Sequence, residues 1–337
     1  MNVQTQSEIS TEGASKPIKK VRAIDMFCGA GGSSWGARVA GVEIVAGFDM
    51  WDLAQSVYCD NFPEAKFYGK KLEELDPNKI SKELGEIDLI IASPECTNHS
   101  PAKGNGIRCE KSKETAFQVV RFARSFKPRW IIVENVVSMR KWSRYNEFID
   151  NLHELGYQTR EQALNSKDFG VPQSRRRLFI ICDMEHSPPE IKPICRTLKP
   201  AFSIIDSNGR YKTSPLRKEK RAEATLDRAD RAINALGEKS PFLVVYYSTD
   251  HAGGWQRLDV PLRTITTIDR FALVRPTQHG HEMRMLQPSE LQKAMGMSIK
   301  FKFEHGTRRD KIKFIGNAVC PPVMQVIVAK LIAEVHY

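Results

Sequence analysis

The chain has 337 residues, 41% hydrophobic and 27% charged, a balance typical of globular proteins rather than of disordered chains or membrane proteins, and a length that predicts a large domain plus a smaller one. Its seven cysteines form no Cys-x-x-Cys pair, so neither a disulfide framework nor a zinc site is expected and each reads first as a small buried hydrophobe. The formal net charge of +11 and the pI near 9.3 point to a polyanionic partner.

Residues 1–20 are rich in Ser, Thr, Gln and Lys, carry no apolar stretch of anchor length, and are expected as a flexible tail. From residue 21, apolar runs at 21–27, 43–48, 87–92, 130–133 and 177–182 read as buried strands, with amphipathic helices between them at 53–61 and 114–126. This rhythm predicts an α/β domain with a doubly wound, mostly parallel sheet. After Cys182 the rhythm breaks into Pro188-Pro189, Pro193, Pro200, the turn Ser207-Asn208-Gly209 and the basic stretch Arg217-Lys218-Glu219-Lys220-Arg221. Strand-like runs return at 242–248 and 262–268, a helical pattern opens at Pro288, and a last helix is expected over 322–335. The division expected is a catalytic and cofactor-binding domain from 21–184 and 282–337, with a smaller irregular domain at 185–281.

Ligands of such sheets bind beyond the carboxyl ends of the strands. The first run leads into Phe27-Cys28-Gly29-Ala30-Gly31-Gly32, a glycine-rich turn before a helix, where backbone can approach a nucleotide. NAD is one candidate. The second run ends at Asp49, whose carboxylate can take two ribose hydroxyls, with Met50 beside it to pack on adenine; Asp49 reads equally well as a helix N-cap. The third run ends in Ser93-Pro94-Glu95-Cys96-Thr97-Asn98-His99-Ser100, so a cysteine stands at a strand end, where it can be a nucleophile. The next ends in Glu134-Asn135-Val136 at a similar height. Gln173-Ser174-Arg175-Arg176-Arg177 then spaces Gln and two Arg on alternate positions, which one extended face can carry together.

With these motifs in order, the chain resembles the cytosine-5 DNA methyltransferase family over almost its whole length after residue 20. The residues carrying the resemblance are Phe27-x-Gly29-x-Gly31, Pro94-x-Cys96, Glu134-Asn135-Val136, Gln173-x-Arg175-x-Arg177, Arg263-Thr264-Ile265 and Gly316-Asn317-Ala318-Val319. NAD binding explains none beyond the first. The resemblance implies a Rossmann-like S-adenosylmethionine-dependent fold with a target-recognition domain, no metal, and a cytosine flipped out of double-stranded DNA. In it Cys96 adds to carbon 6, a protonated Glu134 holds ring nitrogen 3, and Arg177 with Arg175 holds the carbonyl oxygen and phosphates. Phe27, Gly29, Gly31, Asp49, Met50, Pro94, Asn317 and Val319 are the implied cofactor contacts, bringing the last helix beside the first glycine turn.

Two departures stand out. Glu95 replaces the proline usual before the nucleophile, and Gly69-Lys70-Lys71 stands where the family usually offers an acidic residue to adenine. The expected setting is cytoplasmic and DNA-associated, as a monomer on DNA with a cognate restriction endonuclease as partner and no membrane. The rival readings are an RNA (tRNA) cytosine-5 methyltransferase and a catalytically inert DNA-binding paralogue.

Overall fold

The computed structural model describes residues 20–95, 114–247 and 253–333. The parallel rhythm produces β1 (Arg22–Met26), α1 (Gly32–Val39), β2 (Glu43–Phe48), α2 (Asp52–Asn61), β3 (Lys66–Tyr68), α3 (Pro77–Leu84), β4 (Leu89–Ala92), α4 (Phe117–Phe126), β5 (Trp130–Asn135) and α5 (Tyr145–Glu154), followed by β6 (Gln158–Asn165) and β7 (Arg176–Asp183). Among the described residues these strands form a seven-stranded sheet in the order β3-β2-β1-β4-β5-β7-β6. The first five are parallel, and β7 runs antiparallel between β5 and β6.

Alternation along the strands sorts the core into two layers. Ile24, Met26, Ile90, Ala92, Ile131 and Val133 pack on Val119, Phe122 and Phe148 of α4 and α5. On the opposite face Ala23, Leu89, Ile91, Ile132, Phe179 and Ile181 pack on Ala37 of α1 and on Met324, Ile327 and Val328 of α9 (Pro321–Ala333). β1, β4 and β5 are therefore buried on both sides, as parallel central strands should be.

The chain then builds a second sheet from β8 (Ser214–Pro215), β9 (Phe242–Val245), β10 (Trp255–Arg257), β11 (Phe271–Thr277) and β12 (Gly280–Met285), antiparallel in the order β10-β9-β11-β12-β8. One face, with Phe242, Val244, Ala272 and Val274, covers Ala229 and Ala232 of α6 (Glu223–Leu236). The other face, with Leu243, Val245, Phe271 and Leu273, joins Leu262, Ile265, Leu286 and Leu291 in the core that also holds α1 and α9. The chain returns through α7 (Pro288–Ala294) and α8 (Arg308–Asn317).

β12 pairs with β11 along its whole length, across the boundary expected after residue 281. One expectation changes. The run 262–268 is not a strand: among the described residues it makes one isolated bridge, Gln173 to Leu262, and its backbone is taken by side chains instead. Tyr247 donates its hydroxyl to Thr264 O at 2.6 Å, and Ile265 N donates to Gln173 Oε1 at 2.9 Å. Gly316-Asn317 ends one helix, and a short extended link follows before the next begins at Pro321. The last helix ends at Ala333 among the described residues.

Candidate active site

Parity places the candidate chemistry on one face of the sheet. Asp25 shares the α1/α9 side of β1 with Ala23; Glu134 shares the same side of β5 with Ile132, and Arg177 that of β7 with Phe179.

The glycine turn is held from two directions. Phe27 and Gly29 both take positive φ, 59° and 50°, a conformation that bulky residues adopt only where the surroundings enforce it. Here Cys28 N donates to Phe48 O at 3.0 Å, and Gly29 N donates to Asp49 Oδ2 at 2.9 Å. The other oxygen of Asp49 accepts from Trp51 N at 2.9 Å. Asp49 thus fixes the turn while each carboxylate oxygen keeps a lone pair for a ligand, and burial raises its pKa against these backbone donors. Among the described residues nothing lies within 4 Å of where a Cβ of Gly29 would project, an open cradle above the turn. Beneath it, Asp25 accepts from Ser34 N and Oγ at 3.1 and 2.6 Å, and burial pushes its carboxyl up to about 7.

Met50 is 64% exposed at the lip. Trp51, its neighbour, stacks on Phe314 with centroids 4.1 Å apart and carries Lys313 over its ring. The far wall comes from the C-terminal helices. A Cβ on Gly32 would stand 2.7 Å from Val319 O, and one on Gly36 2.4 Å from Pro321 O, so α1 meets the start of α9 backbone to backbone. Val319 is buried and Asn317 exposed beside that seam. Gly316 presses on the 262–268 segment: a Cβ there would lie 2.2 Å from Thr266 O.

Across the sheet, Glu134 is 6% exposed and pairs with Arg177, Nε to Oε1 3.2 Å. Burial raises its pKa, with Arg177 and then Arg175 pulling the other way, so the site favours a protonated carboxyl more than water does. Arg175 differs from Arg177. At 3% exposure its guanidinium donates to Ile265 O at 3.0 Å and to Gly316 O at 2.9 Å. Gln173 likewise holds Ile265 N and Met295 Sδ. Of the three alternating residues, two therefore clamp the 262–268 segment and the C-terminal helices, and Arg177 faces the carboxyl group.

Cys96 lies outside the described residues, as do 97–100 of its motif. Its root is described: Pro94 is buried, Glu95 is exposed, and Pro94 O accepts from Asn135 Nδ2 at 3.1 Å. Asn135 is the residue here to which the sequence reading gave no role of its own. Its Oδ1 takes Val136 N at 2.8 Å, which orients the amide toward the strand end that leads to Cys96. The thiols of Cys28 and Cys320, also near the site, are pushed up by burial and are poor nucleophiles at neutral pH.

In the small sheet the basic stretch is partly occupied. Arg217 pairs with Asp230, and Arg221 donates to Leu216 O and Pro215 O at 3.1 and 3.0 Å. Arg210 pairs with Asp206 at 2.7 Å, Arg228 lies over the Tyr246 ring, and Lys218, Lys220, Lys212 and Arg196 are exposed.

Comparison with known proteins bears on the family and the fold. The chain is 31% identical over 48% of its length to the type II methyltransferase M.AgeI of Thalassovita gelatinovora, though it spans only 39% of that relative. It is 28% identical to M.HgiDI of Herpetosiphon aurantiacus over 89% of this chain and 90% of the relative. The fold matches a solved structure of the Entamoeba histolytica methyltransferase EhMeth with a TM-score of 0.69, at 17% identity, covering 94% of this chain and 99% of that one. The sequence pattern described as C-5 cytosine-specific DNA methylase matches residues 21–333, and the chain belongs to that family, the DNA cytosine-5 methyltransferases.

Proposed function

We propose that the chain methylates carbon 5 of a cytosine in a specific duplex DNA sequence through a covalent Cys96 adduct, with S-adenosylmethionine as cofactor. The observation that carries this reading is Glu134, a buried carboxyl biased toward its protonated form, paired with Arg177 and level with the strand end that leads to Cys96. Cys96 as a thiolate adds to carbon 6. Protonated Glu134 hydrogen-bonds ring nitrogen 3, so the ring accepts the electron pair and carbon 5 becomes nucleophilic. Arg177 holds the carbonyl oxygen of the base. The cofactor, when bound, supplies the methyl group in electrophilic form. Loss of the proton on carbon 5 then restores the double bond and expels the Cys96 thiolate.

The cofactor cradle is the open space over Gly29, with Phe27 and Gly31 in the turn, Asp49 at the ribose, Met50 at the adenine, and Pro94, Asn317 and Val319 on the remaining walls. Arg175 is a positioning residue in this scheme. A base inside a duplex is out of reach, so the target must be extruded, at a cost of a few kcal/mol. Residues 185–285 form the target-recognition unit, offsetting part of that cost through phosphate contacts. A cytoplasmic, DNA-associated setting and a cognate restriction endonuclease belong to the same reading; the type II naming of the relatives supports the second.

The test is a duplex carrying 5-fluorocytosine at the target. Fluorine on carbon 5 cannot leave as a proton does, so the enzyme with S-adenosylmethionine should form an adduct that survives denaturing electrophoresis. Cys96→Ala should abolish it, and fluorinated RNA should not be trapped. An adduct undiminished in Cys96→Ala would assign the nucleophile elsewhere and overturn the mechanism.

A further inference from the structure

At the carboxyl end of the sheet, buried polar atoms without a hydrogen-bond partner among the described residues fall on three neighbouring strands: Asp25 Oδ1 on β1, Ser93 Oγ just past β4, and Glu134 Oε1 on β5. Asp25 keeps Ser34 on its other oxygen, and Glu134 keeps its ion pair with Arg177. The Ser93 hydroxyl has neither among the described residues. A buried hydroxyl left unmatched is costly, and a ligand that supplies the missing partner recovers that cost.

The position of Ser93 says which ligand. Its N–H donates to Met26 O at 3.1 Å, so its backbone abuts the strand end that opens into the Phe27–Gly31 turn. It follows Ile91 by two residues and shares the α1/α9 side of the sheet, with the Ala92–Val133 register setting it level with Glu134. Asp49, at the end of β2, lies two strand spacings away, about 10 Å. That is close to the span between the ribose hydroxyls of S-adenosylmethionine and its amino-acid end. Glu134 and Arg177 already serve the polar edge of the base.

We propose that Ser93 is a cofactor-binding residue whose hydroxyl completes a hydrogen bond with the amino-acid end of S-adenosylmethionine. This rests on the cofactor reading above. It assigns a side-chain contact to a strand end at which the sequence offered only the neighbouring Pro94. Because the hydroxyl is unmatched without ligand, its removal should have opposite consequences for the free and the bound protein.

The experiment is calorimetric titration of the full chain with S-adenosylhomocysteine, a stable probe with the same amino-acid end, and with 5′-methylthioadenosine, which lacks that end. Thermal melting without ligand runs beside it. Ser93→Ala should weaken S-adenosylhomocysteine by about tenfold, the worth of one hydrogen bond. It should leave methylthioadenosine unchanged and the ligand-free melting temperature equal or higher. Unchanged S-adenosylhomocysteine affinity, equal weakening of both probes, or a lowered ligand-free melting temperature would each overturn the proposal. Asp49→Ala separates the two readings. If it weakens both probes while Ser93→Ala weakens neither, only the role of Ser93 falls; if neither variant affects binding, the cofactor site itself is misplaced.

Discussion

Replacing Arg175 and Arg177 in turn separates two roles that share one sequence motif. Arg175 is almost fully buried and donates to two carbonyls, Ile265 O at 3.0 Å and Gly316 O at 2.9 Å. A charged donor to a neutral carbonyl contributes roughly 1.5–3 kcal/mol, and Arg175→Met leaves both carbonyls buried without it. Relief from burying a guanidinium offsets part of this, so the net loss should be about 2–4 kcal/mol. At about 2 °C per kcal/mol for a chain longer than 150–250 residues, the melting temperature should fall by about 4–8 °C. Arg177→Met removes a single ion pair to a buried carboxyl that can take up a proton in its place and should cost less stability than Arg175→Met. Its effect should appear in chemistry, because the base loses the donor at its carbonyl oxygen. A fall of about a hundredfold in the rate of 5-fluorocytosine trapping is expected. The assays are thermal and denaturant unfolding for both variants, with trapping kinetics measured well below the lower melting point. If Arg175→Met melted like the parent while trapping slowed a hundredfold, the clamp assignment would fail and Arg175 would rejoin the catalytic set.

Asp25 gives a pH prediction. Its carboxyl is raised from 3.8 to about 7 by burial, so the unfolded chain ionises there before the folded chain does. The contribution of this group to stability should be greatest below pH 4, fall as pH rises from about 4 to 7, and level off above, a change of up to roughly 4 kcal/mol. Asp25→Asn, which can still accept from Ser34, should flatten that window in denaturant titrations; an unchanged slope would assign the pH dependence elsewhere. In the small sheet, neutralising Lys218 and Lys220 should lower the salt slope of DNA binding by up to about 2 if both touch phosphates. Arg217→Ala and Arg221→Ala should instead lower stability, because their guanidinium groups are held by Asp230 and by backbone carbonyls; salt slopes altered by the arginines and untouched by the lysines would reverse the assignment.

The parts of the fold legible in sequence were those where burial on both faces writes a continuous apolar run, as in β2 and β5. β6 was invisible because Gln158–Asn165 is mostly polar; it is a strand because it pairs with β7 along its full length. The linker covers its outer side, with Arg160 donating to Pro188 O and Ile191 N donating to Gln162 Oε1. α6 was hidden by its composition: two alanines and a threonine supply much of its buried face, and Ala229 and Ala232 carry almost no hydrophobic signal although they lie at the centre of a core. The run 262–268 misled in the other direction. Leu262 and Ile265 are buried, but the backbone groups of the run go to Gln173, Arg175 and Tyr247, partners far away in sequence that no local pattern announces. The same holds at the site. Asp49 and Glu134 could be read from their strand ends, whereas the separate tasks of Arg175 and Arg177 depend on Gly316 and Ile265, which only the tertiary fold brings near.

The shared face of the small sheet bears on exchanging specificity between relatives. Leu243, Val245, Phe271 and Leu273 belong to the same core as Leu262, Leu286 and Leu291, so residues 214–285 are not a detachable cassette. A graft cut at the strand ends would import an inner surface shaped for another host, and mismatches of one or two methylenes there cost about 1–3 kcal/mol each. Those four side chains must travel with the graft or be rebuilt to the host. The solvent-facing side of α6, with Glu223, Asp227, Arg231 and Asn234, meets no such constraint, and under the proposed function it is where new sequence preferences can be installed.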